Sequence, residues 1–109
     1  MADRTVPVLD MDGAMPARPP ANAGTVTYPP QATFGPRVQL DYQLVLVHAG
    51  SATVAVDGME REIPTGHVGL LLPGRSEFFT FARGRETRHS WIAVAPHQLD
   101  AETRRALVV

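Results

Sequence analysis

Imidazoles, carboxylates, amides and guanidinium groups are the means by which this chain could do chemistry; thiols are not. Its 109 residues include no cysteine, which removes disulfides, thiol nucleophiles and thiolate zinc sites together. The four histidines, His48, His67, His89 and His97, are scattered, with no two at ligand spacing on one strand face. They therefore read as ordinary surface or turn histidines, and no metal site is expected. Every one of the ten cations is an arginine, and the formal net charge is −1, so the chain lacks the electrostatic footprint of a nucleic-acid binder. Arg83, Arg85 and Arg88 stand around Gly84 and could meet an anionic ligand or a DNA phosphate. Three arginines in a glycine-containing connection are, however, the usual composition of a solvated turn.

The elements that must position such groups are strands. Seven of the ten prolines lie in the first 36 residues. Each removes a backbone donor and fixes φ, which excludes helices and central strands from that third of the chain. Residues 1–22 read as an extended Pro/Ala-rich arm, and 23–109 as one domain with one core. From Gly24 onward short β-type runs alternate with turn residues every 8–12 positions, the pattern of a sandwich or barrel. Six or seven strands are expected among the runs 24–28, 37–39, 42–49, 52–57, 60–63, 67–72, 77–82 and 87–95. Asp57-Gly58 marks a hairpin, because both residues tolerate positive φ, and Gly50-Ser51 marks a second tight turn. After Pro96 a short terminal helix should start near Asp100, with Leu99, Ala106, Leu107 and Val108 as an apolar face available to a partner. No run of about 18 apolar residues exists and no signal peptide is evident, so a soluble cytoplasmic protein that does not enter membranes is the expectation.

Two segments in register, 42–58 (YQLVLVHAGSATVAVDG) and 63–74 (IPTGHVGLLLPG), followed by SWIAV at 90–94, resemble the sensor domain of AraC-type transcriptional regulators. The resemblance covers about residues 37–109. It implies an all-β, cupin-like double-stranded β-helix, a jelly-roll sandwich or barrel, preceded by the extended arm and closed by the short C-terminal helix. The DNA-reading helix-turn-helix of such regulators is not among these residues, so contact with DNA is expected only through an absent C-terminal domain. A second likeness, of VLDMDG at 8–13 to the first motif of haloacid-dehalogenase-like phosphatases, is set aside. Pro7 interrupts the strand that motif needs, and the chain has no room for the α/β domain that carries it.

Cupin enzymes hold a metal through two histidines, a glutamate and a later histidine. Aligned on the turn glycines, those positions fall here at or near Arg37 and Gln39, at Gln43 and at Glu77, a set that implies no metal and no other cofactor. The family register turns Gln43, Val45 and Val47 toward the interior, opposite Glu77, Phe79 and Phe81, with His89, Trp91 and Ala93 as a third inward set. The ligand-binding residues expected are thus Arg37, Gln43, Val45, Val47, Glu77, Phe79, Phe81 and Trp91, with no catalytic residue. The same aromatics could instead simply fill the barrel. The reading is a metal-free domain that binds a small-molecule effector and forms a homodimer within an AraC-type regulator. The alternatives are a cupin isomerase or dioxygenase, and a freestanding structural cupin. In the arabinose-sensing members of that family an N-terminal arm folds over the effector, so residues 6–15 are expected to lie across the sandwich mouth near Trp91, or across a neighbouring subunit; the alternative is a flexible tail.

Overall fold

A computed structural model of the chain describes residues 20–107. The expected arm lid at 6–15, the 8–13 motif and Val108 lie outside the described residues. Eight strands form: β1 (Ala21–Tyr28), β2 (Thr33–Val38), β3 (Tyr42–Ala49), β4 (Ser51–Val56), β5 (Met59–Pro64), β6 (Val68–Leu71), β7 (Ser76–Phe81) and β8 (Thr87–Val94). A 3-10 turn at Pro96–Gln98 leads into α1 (Ala101–Leu107). The strands make two four-stranded antiparallel sheets, β1-β8-β3-β6 and β2-β7-β4-β5, stacked as a jelly roll.

The strand count exceeds the six or seven read from the sequence, and the cause lies in the proline-rich third. β1 begins at Ala21, within the stretch assigned to the arm, and β2 begins at Thr33 although Gly35-Pro36 interrupts it. Both are edge strands, where a missing N–H breaks no central ladder. The β2–β7 register shifts between Phe34 and Arg37, so the Gly-Pro pair sits in a bulge and strand pairing resumes at Arg37.

Alternation decides the core. Val45, Val47, Ala52, Val54, Ile63, Leu71, Phe79 and Phe81 form one buried cluster between the sheets. The Asp57-Gly58 turn has both residues at positive φ, +49° and +84°, as its hairpin requires. α1 starts where expected: the Asp100 carboxylate accepts the Thr103 N–H at 2.7 Å as an N-cap. Leu99 and Leu107 are half-buried and Ala106 is exposed, while none of the residues of α1 is fully buried.

Gly50 is the position where backbone freedom is indispensable. It is buried, has φ +80°, and a Cβ there would stand 2.5 Å from the Glu86 carbonyl oxygen and from Thr87 Oγ1. That hydroxyl ties three segments, donating to the Ser51 carbonyl at 3.1 Å and accepting from the Ala82 N–H at 3.2 Å. Gly50→Ala is expected to lose at least about 2 kcal/mol, from the left-handed backbone plus displacement of Thr87, measured as a drop in the urea midpoint. Gly58→Ala, whose Cβ meets nothing, should lose only the backbone part.

Candidate functional site

β2, β3, β7 and the β2–β3 connection, which carries Gln39, bring four polar side chains together in the interior: Arg37, Gln39, Gln43 and Glu77. Gln39, Gln43 and Glu77 are each at most 2% exposed. Arg37 donates from Nε to Glu77 Oε1 at 3.1 Å and from Nη2 to Gln43 Oε1 at 2.9 Å. Gln39 donates from Nε2 to Gln43 Oε1 at 2.9 Å and to both Glu77 oxygens at 3.2 and 3.3 Å. Its own Oε1 accepts the Asp41 backbone N–H at 3.1 Å. Both amide orientations follow from chemistry: a backbone N–H and a guanidinium can only donate, so each Gln must turn its oxygen to them. The Arg37 side chain is 19% exposed and that of Glu77 0%. Burial pushes the Glu77 carboxyl up from its ordinary range, while Arg37 and the Gln39 amide pull it back.

These are the positions aligned with the cupin metal ligands, and the set does not fit a divalent ion. A guanidinium repels a cation and offers no lone pair, the two amides are engaged with each other, and the one carboxylate is bound by Arg37 and Gln39. No chemistry is therefore derived through a metal.

Above the polar floor Tyr28, Phe34, Val45, Phe79, Phe81 and His89 line a cavity of about 10 Å³, near the lower limit for holding one water. Phe34 lies under the Arg37 guanidinium at 5.0 Å. Tyr28 stacks on Phe81 at 4.0 Å, and the His89 ring lies 5.8 Å from Phe81 and 5.7 Å from Tyr28. Burial, with the Arg37 charge opposing, raises the Tyr28 phenol above its ordinary value.

His89 is 6% exposed, in keeping with the inward set at 89, 91 and 93 and against the reading of all four histidines as surface or turn residues. His48, His67 and His97 are exposed, but position 89 has the inward parity of β8. Its Nδ1 is buried without a hydrogen-bond partner. Burial pushes its pKa down to about 4, with the positive charges of His48 and Arg37 adding to the effect.

Of the eight expected ligand-binding residues, Arg37, Gln43, Val45, Phe79 and Phe81 line this cavity. Glu77 is held behind Arg37, and Val47 is fully buried in the core. Trp91 stands to one side, its ring packed where a Cβ on Gly24 would collide with it, and donates Nε1–H to Asn22 at 3.0 Å. Tyr28 and Phe34 joined the site unforeseen. Tyr28 shares inward parity with Gly24 and Val26, a signal available in the sequence, whereas Phe34 was hidden by the bulge that follows it. Arg83 and Arg85 are exposed in the β7–β8 turn, away from the cavity lining.

Two stacked antiparallel sheets around a buried polar floor define a ligand-binding domain of the cupin type. The chain belongs to the AraC-like ligand binding domain family, which it matches over residues 20–109. No curated protein matches the sequence. Among solved structures, the cupin domain of Schizosaccharomyces pombe Cnp3 is similar with a TM-score of 0.68 at 15% identity, over 86% of this chain and 68% of that one. A cupin 2 conserved barrel protein of Salinispora arenicola gives a TM-score of 0.63 at 18% identity, over 95% and 89%. An ethanolamine utilization protein Q of Salmonella typhimurium gives 0.60 at 21% identity, over 71% of this chain and 59% of that one. This chain thus spans less than two thirds of that protein, and at these identities the likenesses show the fold alone. No helix among the described residues is long and apolar enough to cross a membrane.

Proposed function

We propose that this domain is the effector-binding and dimerisation module of an AraC-type transcriptional regulator, and that it binds rather than catalyses. The observation that carries the reading is the orphaned Nδ1 of His89, set in the aromatic wall of a cavity whose floor is Arg37 and Gln43. An unpaired buried nitrogen costs about 1–3 kcal/mol, and a ligand that pairs it recovers that amount. The cavity is about 10 Å³, so an effector enters by displacing Tyr28 and Phe34, which lie on the edge strands β1 and β2. Occupancy is thereby coupled to the edges of both sheets, the parts of the domain that a partner or a DNA-reading domain can sense. The ion pair of Arg37 and Glu77 already balances charge, which favours an uncharged, hydrogen-bonding effector over an anion.

Thermal-shift screening of small neutral polyols, aromatics and amino-acid-like compounds tests this. A true effector at 100 times its Kd adds about 2.7 kcal/mol of stability. The gain should fall sharply in His89→Phe and Phe34→Ala. Turnover of any compound that binds would contradict the non-enzymatic reading, and the absence of any stabilising compound across these classes would contradict the effector reading.

A further inference from the structure

Tyr28 reaches the cavity from the end of an edge strand. It is the last residue of β1, paired with Thr87 at the end of the β1–β8 ladder and followed at once by Pro29 and Pro30. Proline has no N–H to carry the ladder further, so this terminal rung opens more readily than those inside the sheet. The Tyr28 ring lies on Phe81 at 4.0 Å with 12° between the planes, and the Phe79 ring lies nearly parallel to Phe81 at 5.9 Å and 9°. Tyr28 is only half-buried, and its phenol lies within the field of Arg37. What the ring does not do is satisfy His89. The Nδ1 of that buried histidine has no partner, although the Tyr28 and His89 rings are 5.7 Å apart. A guest that keeps the stack and also pairs Nδ1 therefore gains over Tyr28.

We infer that Tyr28 is a built-in stand-in for the effector, and that the effector is a small neutral hydroxyaromatic compound that takes its place on Phe81. The inference rests on the effector reading above and narrows its chemistry. A planar ring fits because the space that Tyr28 vacates is that of one ring against Phe81, and such stacks are worth about 0.5–1.5 kcal/mol beyond the area they bury. A hydroxyl fits because His89, with its pKa of about 4, is neutral at physiological pH. A neutral imidazole has one nitrogen as donor and the other as acceptor, and a hydroxyl can meet either role at Nδ1. A carboxylate fits poorly, since Arg37 is already bound to Glu77 and a second anion would be buried without a counter-charge of its own. A polyol lacks the flat face that the stack needs.

Free 4-methylphenol, which is the tyrosine side chain itself, tests this on the full chain by thermal shift and calorimetry at neutral pH. It should bind the wild type weakly and Tyr28→Ala at least about tenfold more tightly, because the variant no longer holds the site closed for most of the time. Toluene should bind Tyr28→Ala about fivefold more weakly than 4-methylphenol, the worth of one hydrogen bond, and the difference should vanish when His89→Phe is added. A further readout needs no variant: in the wild type the Tyr28 ring-proton resonances, shifted by the face of Phe81, should return toward their ordinary positions at saturation. The inference is overturned if 4-methylphenol fails to bind the wild type at its solubility limit, if the Tyr28 resonances stay in place, or if Tyr28→Ala binds no more tightly than the wild type. Equal affinity of Tyr28→Ala for toluene and 4-methylphenol would overturn it as well. Should a polyol or an amino-acid-like compound then stabilise the wild type, the effector reading stands without this inference; should no class do so, both fall.

Discussion

Replacing Arg37 by Met should destabilise the domain by about 3–5 kcal/mol, the usual cost of leaving a buried charge without its partner. The Glu77 side chain is wholly buried, and Arg37 is its one ion-pair partner among the described residues. Without the guanidinium only the Gln39 amide still donates to the carboxylate, so the Glu77 pKa, already raised by burial, rises further. The sign follows from linkage. A carboxyl whose folded pKa lies above its unfolded value contributes stability that is full below the unfolded pKa and is lost as pH rises through the folded one. The deficit of Arg37→Met relative to the wild type should therefore be larger at pH 8 than at pH 4. The double variant Arg37→Met, Glu77→Met should recover most of the loss, because a well-packed apolar pair replaces the buried charges without stranding either. Urea denaturation of the three variants at both pH values decides the matter. Equal losses for the single and double variants would mean that packing, not charge, holds the cluster.

Acid should unfold the protein through His89. Its folded pKa of about 4 lies below the ordinary 6.5, so between those values the unfolded chain binds the proton and the folded one does not. Stability from this group is complete above pH 6.5 and is lost as pH falls toward 4, a total of about 3 kcal/mol at 1.36 kcal/mol per pH unit. Glu77 acts in the opposite sense over the range just above its unfolded value, so the two groups are separated by substitution. His89→Phe keeps the stack with Phe81 and Tyr28 and removes the titrating group. Its stability should hold or rise from pH 6.5 to 4.5, the rise coming from Glu77, where the wild type gains less or declines. Parallel slopes in the two proteins would place the acid sensitivity elsewhere.

Much of the architecture was legible because two physical signals are local. Period-two alternation sorted Val45, Val47, Phe79 and Phe81 inward, and glycine at positive φ located the turns at Gly50 and Gly58. The polar cluster was legible through the resemblance: Arg37, Gln39, Gln43 and Glu77 converge as the alignment implied, although they are spread over 41 positions of the sequence. The edge strands were less so. Proline weakens a strand pattern without forbidding an edge, and a bulge breaks the alternation on which the reading depends, so Phe34 escaped notice.

By itself the sequence determined that the chain is cysteine-free and built of short strands divided by turns, as a β-sandwich or barrel is; the placing of its Arg, Gln and Glu residues at the cupin ligand positions is what the resemblance implied. The first are matters of residue type, spacing and alternation, which act over a few neighbours along the chain. Only the tertiary structure decided that the buried Nδ1 of His89 has no hydrogen-bond partner and that the cavity among its aromatics shrinks to about 10 Å³. Desolvation and cavity volume depend on which distant strands become neighbours. Tyr28, Phe81 and His89 meet because β1, β7 and β8 converge, and no local pattern encodes that distance.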